Sequence, residues 1–284
     1  MTSPDDDAHR VLRLSREDPR ILQLAFLGSL LLFGVLVRDF SLQPVQVALC
    51  LGTALGWQLA LGKGRNLASA AITGLGLSLL VRADNLWVHP LCATVAVVAK
   101  FTLRWQDKAI FNPANLGVLL AMALLPGAWT SPGQWGHAWI IAGWILMLGL
   151  GVTLRAGRMD SALGFLACWL ALCAGRIGWL GQNWAVLGHQ FTTGSLVLFS
   201  FFMISDPRTT PDHRAARYVH AATVALVAFT WQFGLYRPHG PIVALALCTP
   251  LVPLLDRLLR AARHQWPTPP PPRGLLDAPA SVPS

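Results

Sequence analysis

From residue 21 to residue 258 the chain repeats one pattern: an apolar run close to bilayer length, then a short polar loop. A helix needs about 17 to 20 apolar residues to cross the hydrocarbon core. On that measure ten spans are expected: Ile21–Val37, Val45–Gly62, Leu67–Val81, Leu86–Leu103, Ile110–Leu125, His137–Leu154, Ala162–Leu180, His189–Ser205, Tyr218–Tyr236 and Pro241–Leu258. The third and fifth are short, as broken or protein-buried segments are. Charged residues make up 12% of the chain and the mean hydropathy is +0.50, far from the roughly 25% charged content of a soluble domain. The expected fold is all-α, a polytopic integral membrane protein of about ten transmembrane helices.

The basic residues test the count. With ten spans both termini share one side. That side collects 18 of the Lys and Arg residues, from Arg10 to Arg273, while the other side receives only Arg38, Arg82 and Arg237. Such a bias places the rich side in the cytoplasm, so a bacterial cytoplasmic membrane location with both termini inside is expected. The formal charge of +9 is thereby explained as topology charge in short loops, and nucleic acid is not expected as a partner. Residues 1–20 are polar, with no cleavable signal expected, and 261–284 form a Pro-rich tail expected to be disordered. Cys50, Cys92, Cys168, Cys173 and Cys248 all sit in apolar runs without a C-x-x-C pair, so neither disulfides nor iron-sulfur ligation is expected.

Ten spans divide into five and five, about 21–127 and 137–260, and an odd-numbered repeat must be inverted in the membrane. The third span holds Thr73-Gly74, and the eighth, 120 residues on, holds Thr192-Thr193-Gly194. Lipid does not solvate hydroxyls or loosened backbone, so both clusters are expected to face the interior of the bundle. They are expected to meet near mid-membrane, with discontinuous helices there.

Two further motifs carry polar groups into apolar surroundings. Phe111-Asn112-Pro113-Ala114 opens the fifth span just after Lys100, Arg104 and Lys108. Asn112 reads as a helix cap with Pro113 in the first turn; the same helix N-terminus beside cations also suits an anion or a polar ring. In Ser205-Asp206-Pro207-Arg208, Asp206 ends a span where the helix dipole disfavours a carboxylate. Pairing with Arg208, Arg214 or Lys108 is expected, as a salt bridge or as part of a site. Thr210-Pro211-Asp212 reads as the cap and first turn of the ninth span.

This succession, Thr73-Gly74, Ala99-Lys100 with Phe111-Asn112-Pro113-Ala114, Thr193-Gly194 with Ser205-Asp206-Pro207, and Pro253-Leu254-Leu255-Asp256 closing the tenth span, resembles one family. It is similar to RnfD, a membrane component of Rnf-type electron transport complexes, and to the related NqrB component of the sodium-pumping NADH:quinone oxidoreductase, in a shortened, stand-alone, UnbU-like form. The resemblance implies flavin held in the membrane and electron transfer coupled to ion movement, with other membrane subunits or redox proteins as partners. Thr73, Gly74, Lys100, Phe111, Asn112, Pro113, Thr192, Thr193, Gly194 and Asp206 are the candidate cofactor-binding residues. The family's long insertion carrying a covalently flavinylated threonine is reduced here to residues 126–136, where Thr130 stands in a different context. No covalent FMN is expected, and a non-covalent flavin, FMN or riboflavin, or a quinone takes its place. The reading from another class is a transporter moving a small solute or ion through an inverted-repeat bundle.

Overall fold

The computed structural model describes residues 18–37, 42–62, 66–106, 108–130, 139–191 and 194–264. Helix α1 runs Pro19–Val37, α2 Pro44–Gly62, α3 Leu67–Leu80, α4 Val88–Thr102 and α5 Pro113–Leu124. The second half holds α6 Trp139–Ala156, α7 Met159–Leu180, α8 Ala185–Phe191 and α9 Gly194–Leu198, which passes into a π turn at Phe199–Met203. Helix α10, Arg214–Phe229, ends in a second π turn at Thr230–Gly234, and α11 Gly240–Leu247 and α12 Leu251–Leu258 follow. Helix therefore occupies each of the ten apolar runs. The tenth is bent by 52° between α11 and α12, at Pro250, where the chain pauses before Leu251.

Among the described residues α1, α2 and α7 are each long and apolar enough to cross a membrane, and α11 with α12 would add a fourth as one bent span. The chain is a helical membrane protein. Helices α3 and α5 have only 14 and 12 residues, too short for a core about 30 Å thick at 1.5 Å per residue. The missing length is extended backbone, which corrects the purely helical expectation. Strand β1, Val81–Ala83, leaves α3 directly and pairs antiparallel with β4, Ala128–Thr130, just beyond α5. A smaller ladder, β2 Arg104–Trp105 on β3 Lys108–Ala109, joins α4 to α5.

Loop contacts collect at two ends. At the basic end Arg20 donates to Asn66, Lys108 reaches Asp212 and Asp256, and Arg217 reaches Asp160. At the opposite end lie the β1–β4 ladder, a hydrogen bond from Gln46 to the Ala83 carbonyl and one between Thr130 and His239. In the first half α2 packs mainly on α4 and α3, α1 on α3, and α4 on α5; in the second α7 packs on α10, α6 on α9 and its π turn, and α10 on α11. Small buried residues line these contacts, Cys50, Ala54, Ala70, Cys92, Ala93 and Ala96 among them, as close helix approach in a membrane requires. Large apolar side chains such as Leu36, Met147 and Trp179 point outward, toward where lipid belongs.

Two local expectations change. The cap of α10 is not Thr210-Pro211-Asp212 but His213, whose side chain accepts the Ala215 N–H, because Asp212 is drawn away by Lys108. Helix α3 is unbroken through Thr73-Gly74, with the Thr73 hydroxyl donating back to the Ser69 carbonyl.

Candidate ligand cavity at the basic end

A partly open cavity of about 110 Å³ lies between α1, α3, the N-terminus of α5, α6 and the segment from Leu198 to Thr209. On α3 its wall is Ser69, Ile72, Thr73, Gly76, Leu79 and Leu80, the 3- and 4-residue spacing of a single helix face. That phase decides between the glycines. Gly76 lies on the cavity face, whereas Gly74 is turned toward α2, where an added methyl would sit 2.9 Å from Leu51 Cδ2 and 3.3 Å from its Cα. Gly74 therefore does not line the cavity; it lets α2 approach.

Toward Leu80 the wall is apolar, completed by Leu198, Phe201 and Phe202, and toward Ser69 it turns polar with Arg20, Lys100, Asn112, Asp206 and Arg208. Lys100 is buried at the end of α4, where its ammonium donates to Gln58 Oε1 at 2.9 Å and Ser69 Oγ at 3.0 Å. Asn112 does what the sequence suggested: its Oδ1 accepts the Asn115 N–H at 3.1 Å and Pro113 fills the first turn of α5. Its amide nitrogen is thereby turned to Asp206 Oδ2, at 3.3 Å, and to the Met203 carbonyl.

Asp206 is not the partner of Lys108 or Arg214. Lys108 binds Asp212 at 3.0 Å and Asp256 at 2.7 Å, and exposed Arg214 lies nearest Asp160. Asp206 instead accepts the Arg208 backbone N–H at 3.0 Å and the Asn112 amide. Burial pushes its carboxyl above the ordinary range, and the Arg208 N–H and the Arg208 and Lys100 charges oppose that. The carboxylate is held by hydrogen bonds and nearby charge, without a salt bridge inside 4.0 Å among the described residues.

Of the ten residues the sequence singles out, the cavity brings together Thr73, Lys100, Asn112, Pro113 and Asp206. Phe111 precedes the cap without lining it, and Gly194 opens α9. Thr192 and Thr193 lie outside the described residues, so their meeting with Thr73 stays an expectation. Arg208 and Arg20 are cavity residues that sequence reasoning misses. Arg208 stands two positions after Asp206, a spacing that by itself indicates only a salt bridge.

Among the described residues no three His, Cys, Asp or Glu side chains are grouped to hold a metal ion. Residues 131–265 match the model of the NQR2, RnfD, RnfE family. Among relatives, the D subunit of an ion-translocating oxidoreductase complex from Cronobacter sakazakii is 32% identical over 148 residues, covering 51% of this chain and 40% of that protein. The protein of the same name from Escherichia coli O9:H4 is 33% identical over 132 residues, 45% of this chain and 35% of that protein. The matched part thus spans about two fifths or less of these relatives. Asp206 and Arg208 fall inside the family match; Thr73, Lys100 and Asn112 lie before it. Across residues 131–265, just under half of its length, the chain is similar to the NQR2, RnfD, RnfE family.

Proposed function

We propose that this chain is a redox-linked membrane component of an ion-translocating oxidoreductase complex, and that it holds a non-covalent flavin or quinone in the cavity between α3 and the Leu198–Thr209 segment. The observation that carries the reading is the cavity's division into an apolar wall and a polar end, with five residues singled out from the sequence converging on it. A flat ring system asks for that division: ring faces against Leu79, Leu198 and Phe201, ring heteroatoms toward Lys100 and Asn112. When bound, a flavin supplies one- and two-electron chemistry. The chain's own part is to bind and orient it and, through Phe201 and Phe202, to exclude water. The cavity is smaller than the about 300 to 1,000 Å³ of most ligand sites. Phe202, partly exposed and stacked on Phe26 at 4.8 Å, is the side chain whose rotation widens it.

The two halves are proposed to be inverted repeats. Packing supports this pair by pair: α2 on α4 matches α7 on α10, α1 on α3 matches α6 on α9, and α4 on α5 matches α10 on α11. A two-fold relation also accounts for the cross-contacts, since α1 meets α6 and α5 meets α11. Ten crossings with both termini in the cytoplasm follow from the basic-residue bias. Reporter fusions after Gly64, Arg158 and Arg263 are expected to read cytoplasmic and fusions after Gly133 and Arg237 external; a cytoplasmic Gly133 removes both the count and the repeat.

Flavin binding is tested by the absorbance of detergent-purified protein. A flavin band near one per chain is expected, with no fluorescence surviving on a denaturing gel. A colourless preparation that takes up neither flavin nor quinone would instead favour a transporter.

A further inference from the structure

We infer that the open pocket of about 350 Å³ between the β2–β3 hairpin and the end of α12 binds the phosphate of an anionic phospholipid headgroup. It shares no lining residue with the candidate cavity, so the inference is independent of what that cavity holds.

The hairpin builds one wall. Trp105 and Lys108 are partners in its ladder, and each takes hold of α12. Lys108 donates to Asp256 at 2.7 Å and to Asp212 at 3.0 Å, and the Arg257 guanidinium lies over the Trp105 ring, 4.5 Å from its centroid. Arg260 and Arg263 follow Arg257 at three-residue steps and line the same opening.

The charges do not balance. Asp212 is shared by Lys108 and Arg158, and Asp256 by Lys108 and the Asp212 backbone N–H. Two carboxylates thus face one ammonium and one guanidinium, which leaves Arg257, Arg260 and Arg263 in excess. Among the described residues none of the three is in an ion pair: Arg263 donates to Gln106 at 3.1 Å, Arg257 rests on Trp105, and exposed Arg260 makes no hydrogen bond. Counting Asp107 of the hairpin turn, which lies outside the described residues, against them still leaves an excess of positive charge. Guanidinium forks around one opening match the paired oxygens of a phosphate.

The position of the pocket selects the source of that phosphate. Helices α11 and α12 together are long and apolar enough for one bent span. Leu254 and Leu258 of α12 are 50% and 70% exposed, a surface suited to acyl chains. The arginines begin where this apolar run ends, at the depth where chains give way to headgroups, and basic pockets at that depth hold anionic headgroups. Trp105, also exposed, has the amphipathic ring favoured there. A soluble anion leaves the apolar edge unused, whereas a phospholipid engages both edge and arginines.

The test is native mass spectrometry of detergent-purified full-length protein titrated with phosphatidylglycerol and with phosphatidylcholine of the same acyl chains, on the wild type, Arg260→Gln and Arg214→Gln. Phosphatidylglycerol is expected to bind at least about 10-fold tighter, since each basic residue at the headgroups contributes a factor of about 5. Arg260→Gln should lower phosphatidylglycerol affinity about 5-fold and leave phosphatidylcholine affinity unchanged, which also reports that the variant is folded. Arg214→Gln, at an exposed arginine of the same end outside the pocket, should change neither. Equal affinity for the two lipids, or an equal loss in Arg214→Gln, overturns the site and leaves the patch to an acidic protein segment. Displacement of bound phosphatidylglycerol by inorganic phosphate at equal concentration also overturns it, because the pocket then serves a soluble anion.

Discussion

Replacing Arg217 with methionine is expected to cost about 3 to 5 kcal/mol of stability, read as a lowered unfolding midpoint in detergent by tryptophan fluorescence. Arg217, near the start of α10, grips Asp160, in the first turn of α7. Its Nε lies 2.9 Å from both carboxylate oxygens and its Nη2 2.6 Å from Oδ2. Its Nη1 donates to the Asp212 carbonyl at 2.6 Å. The pair is nearly covered, with side-chain exposures of 10% and 9%, and it locks together α7 and α10, which share the most extensive packing in the bundle. Removing the guanidinium leaves a buried carboxylate whose remaining ion pair among the described residues is with exposed Arg214, 3.9 Å away. The double variant Asp160→Leu/Arg217→Met is expected to regain most of the loss, since two apolar groups leave no stranded charge. A single-variant loss below about 1 kcal/mol would mean the pair behaves as a solvated surface bridge.

The second large effect is Phe201→Ala, also about 3 to 5 kcal/mol. Phe201 is 1% exposed and sits where Gly149 of α6 gives it room, since a methyl on Gly149 would lie 2.8 Å from Phe201 Cβ. Truncation opens a void against α6 that the π turn cannot collapse into while the Ser205 hydroxyl holds the Phe201 carbonyl at 2.6 Å. The same void enlarges the candidate cavity and removes one of the side chains proposed to face the ring, so flavin affinity should fall together with stability. Leu226→Ala, at a position 55% exposed, is the control and should stay within about 0.5 kcal/mol. A Phe201→Ala midpoint no lower than the control's would mean that this wall is not packed as described.

Much of the architecture is legible in the sequence because hydropathy and cap chemistry are local. Asn112-Pro113 announces the start of α5 within one turn. What escapes depends on direction and distance. Thr73 and Gly74 are neighbours in sequence, yet 100° of helical rotation sends one to the cavity and the other to α2; Leu67–Leu80 is apolar nearly all round, so its sequence does not reveal which face is which when lipid and protein interior are equally apolar. The sequence offers Lys108 as a partner for Asp206, whereas its partners Asp212 and Asp256 stand 104 and 148 residues away in the chain. The strands β1 and β4 look like span ends, since three residues of extended backbone leave no period to detect.

The ladder between β1 and β4 bears on how such a bundle could work. It ties the far end of α3 to that of α5 through Val81, Arg82 and Ala83 against Thr130, Trp129 and Ala128, and Thr130 is latched in turn to His239 at 3.0 Å, ahead of α11. That end is a cover held by a few hydrogen bonds, each worth about 0.5 to 1.5 kcal/mol net, whereas the basic end is riveted by Lys108, Arg158 and Arg217. With hydrogen bonds at one end and ion pairs at the other among the described residues, the first opening under thermal agitation is expected at the strand cover, while the charged floor keeps α7, α10 and α12 in register.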